Sequence, residues 1–285
     1  MSNPIRPLHR GFVSLVGAGP GDPELLTLRG LRALQQAEVI LTDALVDPTF
    51  EALFPSQAEV VPVGKRCGDH LLAQEGINAL LIAQAQAGRR VVRLKGGDPF
   101  VYGRGGEEAL ALVAAGIPFE VIPGISALNG VSASAGIPLT HRGLSKEVRV
   151  LEGHSPRSDA EWTNLAAYRG TLALFMGTRD LAATATALIR HGADPAWPLA
   201  LVEGGCTPHQ VVQVGCLQDA AALRMCPRTP KPGLVLMGPT VPLHALLQPL
   251  SGDAHVPSAL HTPSRLPQPR GSARPAGGRR ERRVG

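Results

Sequence analysis

A chain of 285 residues with 44% apolar but only 4% aromatic side chains has the length for two domains, each with a core of Ala, Val and Leu, the habit of layered α/β proteins. The formal charge of +5 arises beyond residue 243, where arginines 265, 270, 274, 279, 280, 282 and 283 face only Asp253 and Glu281. Residues 1–243 hold 21 basic and 21 acidic side chains, which excludes a generally basic, nucleic-acid-binding main body.

The first ten residues, "MSNPIRPLHR", read as an N-terminal extension without the apolar stretch of a secretory signal, and no run of 18 apolar residues follows. A soluble, cytoplasmic protein that does not span a membrane is expected. Cys67, Cys206, Cys216 and Cys226 form no CxxC pair, and the nine histidines show no HxH or HExxH spacing, so no metal site is expected and the thiols read as reduced.

The first strand, "FVSLVG", runs into "AGPGDPELLTLRG". A dinucleotide fingerprint needs a third glycine where Asp22 stands, and Pro20 removes a backbone donor, so a phosphate is a poor guest. The same residues suit a strand-to-helix turn in which Asp22 caps, Pro23 takes the first helical position, and Leu25, Leu28, Leu31 and Leu34 of "ELLTLRGLRALQQ" face inward. Next, "VILTD" is a strand ending at Asp43. Further on, "VVRLK" leads into Gly96-Gly97-Asp98-Pro99, and a helix restarts around Arg104 or Glu107. Adjacent glycines at a strand's carboxyl end let a ligand approach bare backbone. Asp98 suits either an acceptor for a ribose or ammonium group, or a turn residue before proline. "TLALFMG", "ALVEGG" and "GLVLMG" read as further buried strands, each followed by a turn and usually a helical pattern, so mainly parallel sheets are expected. From 244 to 285 the chain is rich in Pro, Gly, Ser and Arg without apolar periodicity and reads as a disordered tail.

"VGAGPGDPELLT", "LTDALV", "VGKRCGDH", "RLKGGDPFVYGRGGEE", "PGISALNGVSASAGIPLTHR" and "FMGT" occur in that order. Together they resemble the tetrapyrrole methylases over about residues 11–243, and within them the uroporphyrinogen-III C-methyltransferases, which make precorrin-2. The resemblance implies two α/β domains of that type, 11–122 and 123–243, with S-adenosylmethionine in a cleft between them, a tetrapyrrole above it, and a homodimer. Matching the motifs residue by residue assigns cofactor contacts to Pro20, Gly96, Gly97, Asp98, Val101, Ser126, Ala127, Met176 and Gly205. It assigns acid–base roles to Asp43 and Lys65, and S-adenosylhomocysteine is the implied by-product.

Uroporphyrinogen III carries eight carboxylates, and the guanidinium fork binds carboxylates bidentately. Arg66, Arg104 and Arg142, each in or beside a motif, are therefore the expected substrate contacts. The implied reaction methylates C2 and then C7, and each step must release a proton from the macrocycle. Glu107, three residues beyond Arg104, offers a competing pair that orients Arg104 or assists proton removal. Leu128, Asn129, Glu152 and Cys206 depart from the family pattern. Other readings are a methylase for a later corrinoid intermediate, an NAD-dependent oxidoreductase using Gly17, Gly19 and Asp43, and an RNA-binding protein relying on the basic tail. Nucleic acid is expected to bind only non-specifically through that tail. The sequence shows no dehydrogenase or ferrochelatase module, so the later steps of sirohaem synthesis are expected from separate proteins, and the product's onward route to sirohaem, cobalamin or haem d1 stays open.

Overall fold

Strands that read as buried on both faces are so in the computed structural model, which describes residues 11–64 and 73–247. The first sheet contains β1 (Phe12–Gly17), β2 (Val39–Thr42), β3 (Glu59–Pro62), β4 (Arg90–Lys95) and β5 (Phe119–Ile122), in the order β3-β2-β4-β1-β5 and wholly parallel. Between them run α1 (Leu28–Gln35), α2 (Gln74–Gln86) and α3 (Gly105–Ala114). Side chains alternate across the strands. Val13, Leu15, Leu41 and Val91 meet Ile77 and Leu81 of α2 and Leu112 of α3, while Val16, Ile40, Val92 and Leu94 meet Leu34 of α1 and Phe50.

After α4 (Ala127–Ser134) the chain builds a second sheet from β6 (Val148–Glu152), β7 (Thr171–Phe175), β8 (Pro198–Glu203), β9 (Val211–Cys216) and β10 (Gly233–Met237). Its order is β6-β7-β10-β8-β9. One face takes α5 (Asp159–Ala166), α6 (Leu181–Arg190) and α7 (Leu217–Ala221), and the other takes Val131 of α4. The expectation of mainly parallel sheets fails here. Only β6 and β7 are parallel, and the β7–β10, β10–β8 and β8–β9 pairs are antiparallel. Residues 204–210 between β8 and β9 are too few for a crossover helix, and a strand covered on both faces carries the same apolar run in either direction.

The first turn also departs from its expected form. The Asp22 carboxylate accepts from the Glu24 N–H at 2.8 Å, but it caps only a 3-10 turn, Pro23–Leu25. The helix proper begins under Thr27, whose Oγ1 accepts from the Gly30 N–H at 3.0 Å. Leu34 is fully buried while Leu28 is 72% exposed. Six residues advance a helix by about 240°, so the two cannot share a face; Leu26, before the helix, packs on the core instead. At the other end a 3-10 turn, Val241–Leu243, passes into α8, His244–Leu247, within the segment read as tail. The rest of that segment, the N-terminal extension and residues 65–72 lie outside the described residues. Among the described residues no helix is long and apolar enough to cross a membrane.

What fixes the loops at the strand ends is a junction of glycines. Gly19 and Gly97 exchange backbone hydrogen bonds of 3.1 and 2.7 Å. A Cβ on Gly124 would stand 2.3 Å from the Gly97 oxygen, and one on Gly17 would stand 2.5 Å from the Gly124 nitrogen. Rigid backbone on both sides leaves nothing to yield. Gly124→Ala is expected to lower stability by about 1–3 kcal/mol. Gly106→Ala in α3, where an added methyl meets nothing within 4 Å, is expected to be neutral or to stabilise by up to about 1 kcal/mol. Denaturant unfolding of both variants checks the contrast.

Candidate active site

Four loops converge on that junction. Pro20 packs on α4, since a Cβ on Gly130 would touch its Cγ at 2.6 Å. Gly21 faces Thr207, and Gly205 faces Val131 so closely that added methyls would meet those side chains at 2.7 and 2.6 Å. Gly97, at φ +66°, opens toward the Ala127 nitrogen, and the Ser126 hydroxyl caps α4 by accepting from the Leu128 N–H at 3.2 Å. Asp98 ties the loop together, with Oδ1 accepting from the Phe100 N–H at 2.8 Å and Oδ2 from the Gly124 N–H at 3.1 Å. Its turn-forming role is therefore visible, and its remaining lone pairs stay available. Pro20, Gly97, Asp98, Ser126, Ala127 and Gly205 thus lie at one place. Gly96 turns the other way, toward Leu45. Val101 and Met176 flank the contact of the Tyr102 and Phe175 rings, whose centroids are 5.0 Å apart.

The backbone is strained in the same region. Among the described residues five non-glycine residues have positive φ, and four of them, Tyr102, Arg104, Met176 and Cys206, belong to these loops. Such conformations persist where surrounding structure over-determines them and concentrate at binding sites. Phe100, Val101, Tyr102 and Met176 remain exposed, an apolar surface at the rim of the glycine loops. Burial raises the pKa of the Tyr102 hydroxyl, reinforced by the nearby Glu152 carboxylate. Burial likewise raises that of the Cys206 thiol.

Charge is arranged in two tiers. Arg104, the left-handed residue before α3, is 57% exposed, and its Nε donates to Glu107 Oε1 at 3.1 Å. That hydrogen bond lowers the Glu107 pKa, so the carboxylate stays ionised and is better suited to orient Arg104 than to take up a proton. Beneath lies a buried group that sequence reasoning missed. Arg93 bridges Asp43 (3.2 Å) and Glu108 (3.0 Å), and Lys95 pairs with Glu108 at 2.9 Å. Desolvation lowers the Lys95 pKa, and the Arg93 charge adds to the effect. Its signal was available: two cations alternate on one face of a strand where core residues are expected. Arg142 is exposed in the loop closed by the His141–Ser145 bridge and makes no ion pair among the described residues. Lys65 and Arg66 lie outside the described residues.

The bare main chain of the glycine junction and the apolar rim fit a small ligand with an adenosine-like body better than a phosphate. Among the described residues no three His, Cys, Asp or Glu are grouped to hold a metal.

The family model of the Tetrapyrrole (Corrin/Porphyrin) Methylases matches residues 13–221. The chain belongs to this family. It is 50% identical over 235 residues to siroheme synthase 2 of Cronobacter sakazakii, covering 82% of this chain and 51% of that protein. Among solved structures, uroporphyrin-III C-methyltransferase of Thermus thermophilus complexed with S-adenyl homocysteine superposes with a TM-score of 0.70 at 42% identity, covering 81% of this chain and 99% of that one. A cobalt precorrin-4 methyltransferase gives a TM-score of 0.71 at 28% identity, covering 84% and 99%. The chain spans about half the length of the curated relatives it matches.

The Arg104–Glu107 pair yields a direct check. In an NMR titration the Glu107 carboxyl should ionise below the ordinary glutamate value, and the midpoint should climb back toward that value in Arg104→Gln. Because the shift is downward, the pair is intact above the ordinary carboxylate range and is lost as pH falls through the lowered midpoint. Identical midpoints in the two proteins would remove the guanidinium as cause.

Proposed function

We propose that this chain is an S-adenosylmethionine-dependent methyltransferase that methylates uroporphyrinogen III at C2 and C7 to give precorrin-2. The observation that carries the reading is the convergence of the glycine junction, Pro20, Ser126, Ala127 and Gly205 beneath an apolar rim that ends in an exposed guanidinium. Two α/β domains, 11–122 and 123–243, would supply the two sides of the cleft. The names of the Thermus structure and the siroheme synthases support the same substrate.

S-adenosylmethionine supplies an activated methyl group, which leaves with sulfur keeping the S–CH3 bonding pair. The chain's share is mainly positioning. Gly97 and Gly205 admit the donor to bare backbone, Gly96 turns the loop beside them against Leu45, and Asp98 accepts hydrogen bonds while Val101 and Met176 supply apolar contact. Phe100 and Tyr102 offer a flat wall to the macrocycle. Arg104, held by an ionised Glu107, binds a substrate carboxylate, and Arg66 and Arg142 serve other carboxylates. The ring carbon, which carries a side chain and no hydrogen, gains the methyl group and becomes quaternary, and the macrocycle releases the balancing proton from another of its atoms, for which Asp43 is the acceptor. Its carboxylate ends β2, is 29% exposed, and has one oxygen held by Arg93. Lys65 matches the family's other position with an acid–base role. The family resemblance further supports a cytoplasmic homodimer.

Anaerobic incubation with uroporphyrinogen III and methyl-labelled S-adenosylmethionine tests the reading, with methyl groups counted by mass after oxidation. Two methyls per macrocycle are expected. None, with the donor still bound, would move the substrate to another tetrapyrrole such as a later corrinoid. Arg104→Lys should cut turnover at least tenfold, because an ammonium cannot reproduce the bidentate fork; a normal rate would remove Arg104 from the reaction.

A further inference from the structure

The four charges under the site form a closed structure with one open end. Arg93 is 2% exposed, Lys95 2% and Glu108 0%. Glu108 Oε1 receives Arg93 Nε at 3.0 Å, Lys95 Nζ at 2.9 Å and Gln74 Nε2 at 3.4 Å, whereas its Oε2 has no partner among the described residues. Arg93 Nη1 donates to the carbonyls of Leu41 (3.4 Å) and Leu94 (3.3 Å). The guanidinium is therefore anchored to two strands and to α3, leaving Nη2 to reach Asp43 Oδ2 at 3.2 Å.

Buried ion pairs are poor devices for stability, since apolar residues of similar volume hold a fold at least as well. Two buried cations against one buried carboxylate leave an excess positive charge, and it is directed at the half-exposed Asp43. The Asp43 backbone is fixed as well, its N–H donating to the Leu94 carbonyl at 3.0 Å. With main chain and Oδ2 both tied, the second carboxylate oxygen has a set direction, and among the described residues nothing hydrogen-bonds to it.

We propose that Arg93 is the positioning residue for the Asp43 carboxylate, and that the Lys95–Glu108 pair exists to hold Arg93. This rests on the reading of Asp43 as proton acceptor. The role differs from that of Arg104, since Arg93 is sealed from substrate and acts only through Asp43.

The test compares Arg93→Met, Asp43→Asn and the double variant in the methyl-transfer assay, with S-adenosylmethionine affinity measured by calorimetry. Arg93→Met leaves Lys95 and Glu108 mutually neutral. It should lower kcat at least tenfold while the donor's Kd and KM stay within twofold. Arg93→Lys, which keeps the charge but not the fork, should give an intermediate rate. In the Asp43→Asn background, Arg93→Met should cost nothing further, because the residue it acts through is already gone. An unchanged kcat for Arg93→Met, equal fractional losses in both backgrounds, or a loss confined to donor affinity would overturn the proposal. Should Arg93→Met not fold, the neutral pair Lys95→Met with Glu108→Gln frees Arg93 and must show the same kcat loss and the same silence in Asp43→Asn. A fully active Asp43→Asn overturns the acceptor reading and this role with it. A wild-type protein that transfers no methyl to uroporphyrinogen III overturns the substrate reading, and the positioning role for that reaction falls too. If Asp43→Asn is inactive while Arg93→Met is normal, positioning alone fails.

Discussion

Everything at the site depends on two loops of the first sheet touching through main chain alone. Gly19 and Gly97 hydrogen-bond to each other across the ends of β1 and β4, and Gly17 and Gly124 close the gap to β5 at distances that leave no volume for a Cβ. Once this contact forms, the turn after β1 is pinned, Pro20 is pressed onto α4, and Gly21 meets Thr207 from the second sheet. The geometry follows from excluded volume, and its direct cost is the backbone entropy that glycines lose on folding.

The contact also explains why the loops tolerate strain elsewhere. Arg104 follows a segment in which Asp98 fixes two backbone N–H groups, and the Gly105 N–H then donates to the Pro99 carbonyl at 2.9 Å. With both flanks held, Tyr102 and Arg104 carry the left-handed conformations that lead the chain into α3. Four of the five left-handed non-glycine residues among the described ones fall in the loops at the site, and the fifth, Leu223, lies outside them. The buried charges follow the same pattern one layer down: Arg93 has many partners, so the carboxylate it reaches has one orientation.

Strands β1, β2 and β4 of the first sheet and the glycine turns after β1 and β4 were legible in the sequence, because double-sided burial leaves continuous apolar runs and close backbone approach admits only glycine, whereas the mostly exposed β3 and the partly buried β5 carry no such run. The direction of β8, β9 and β10 was not, since an apolar run has no sense of polarity and only the shortness of residues 204–210 betrayed the hairpin. Pro23 was correctly a first-turn residue, but Thr27 offered a second cap, and the chain used both. At the site, exposed Arg104 and its partner Glu107 followed from helical spacing. Arg93, Lys95 and Glu108 did not, because their partners come from β2 and α3, and spacing along one strand says nothing of what faces it.

The order of the second sheet has a consequence for synthesis on the ribosome. β10 lies between β7 and β8, so β8 and β9 have no neighbour on the inner side until residue 237 has emerged. The segment 204–207, which faces Gly21 and Val131, hangs from that late-attached hairpin. The parallel sheet, whose strands all precede residue 123, can assemble while the rest is still being translated. One side of the candidate site is then complete for much of translation, and the other waits for β10, the last strand of the described chain.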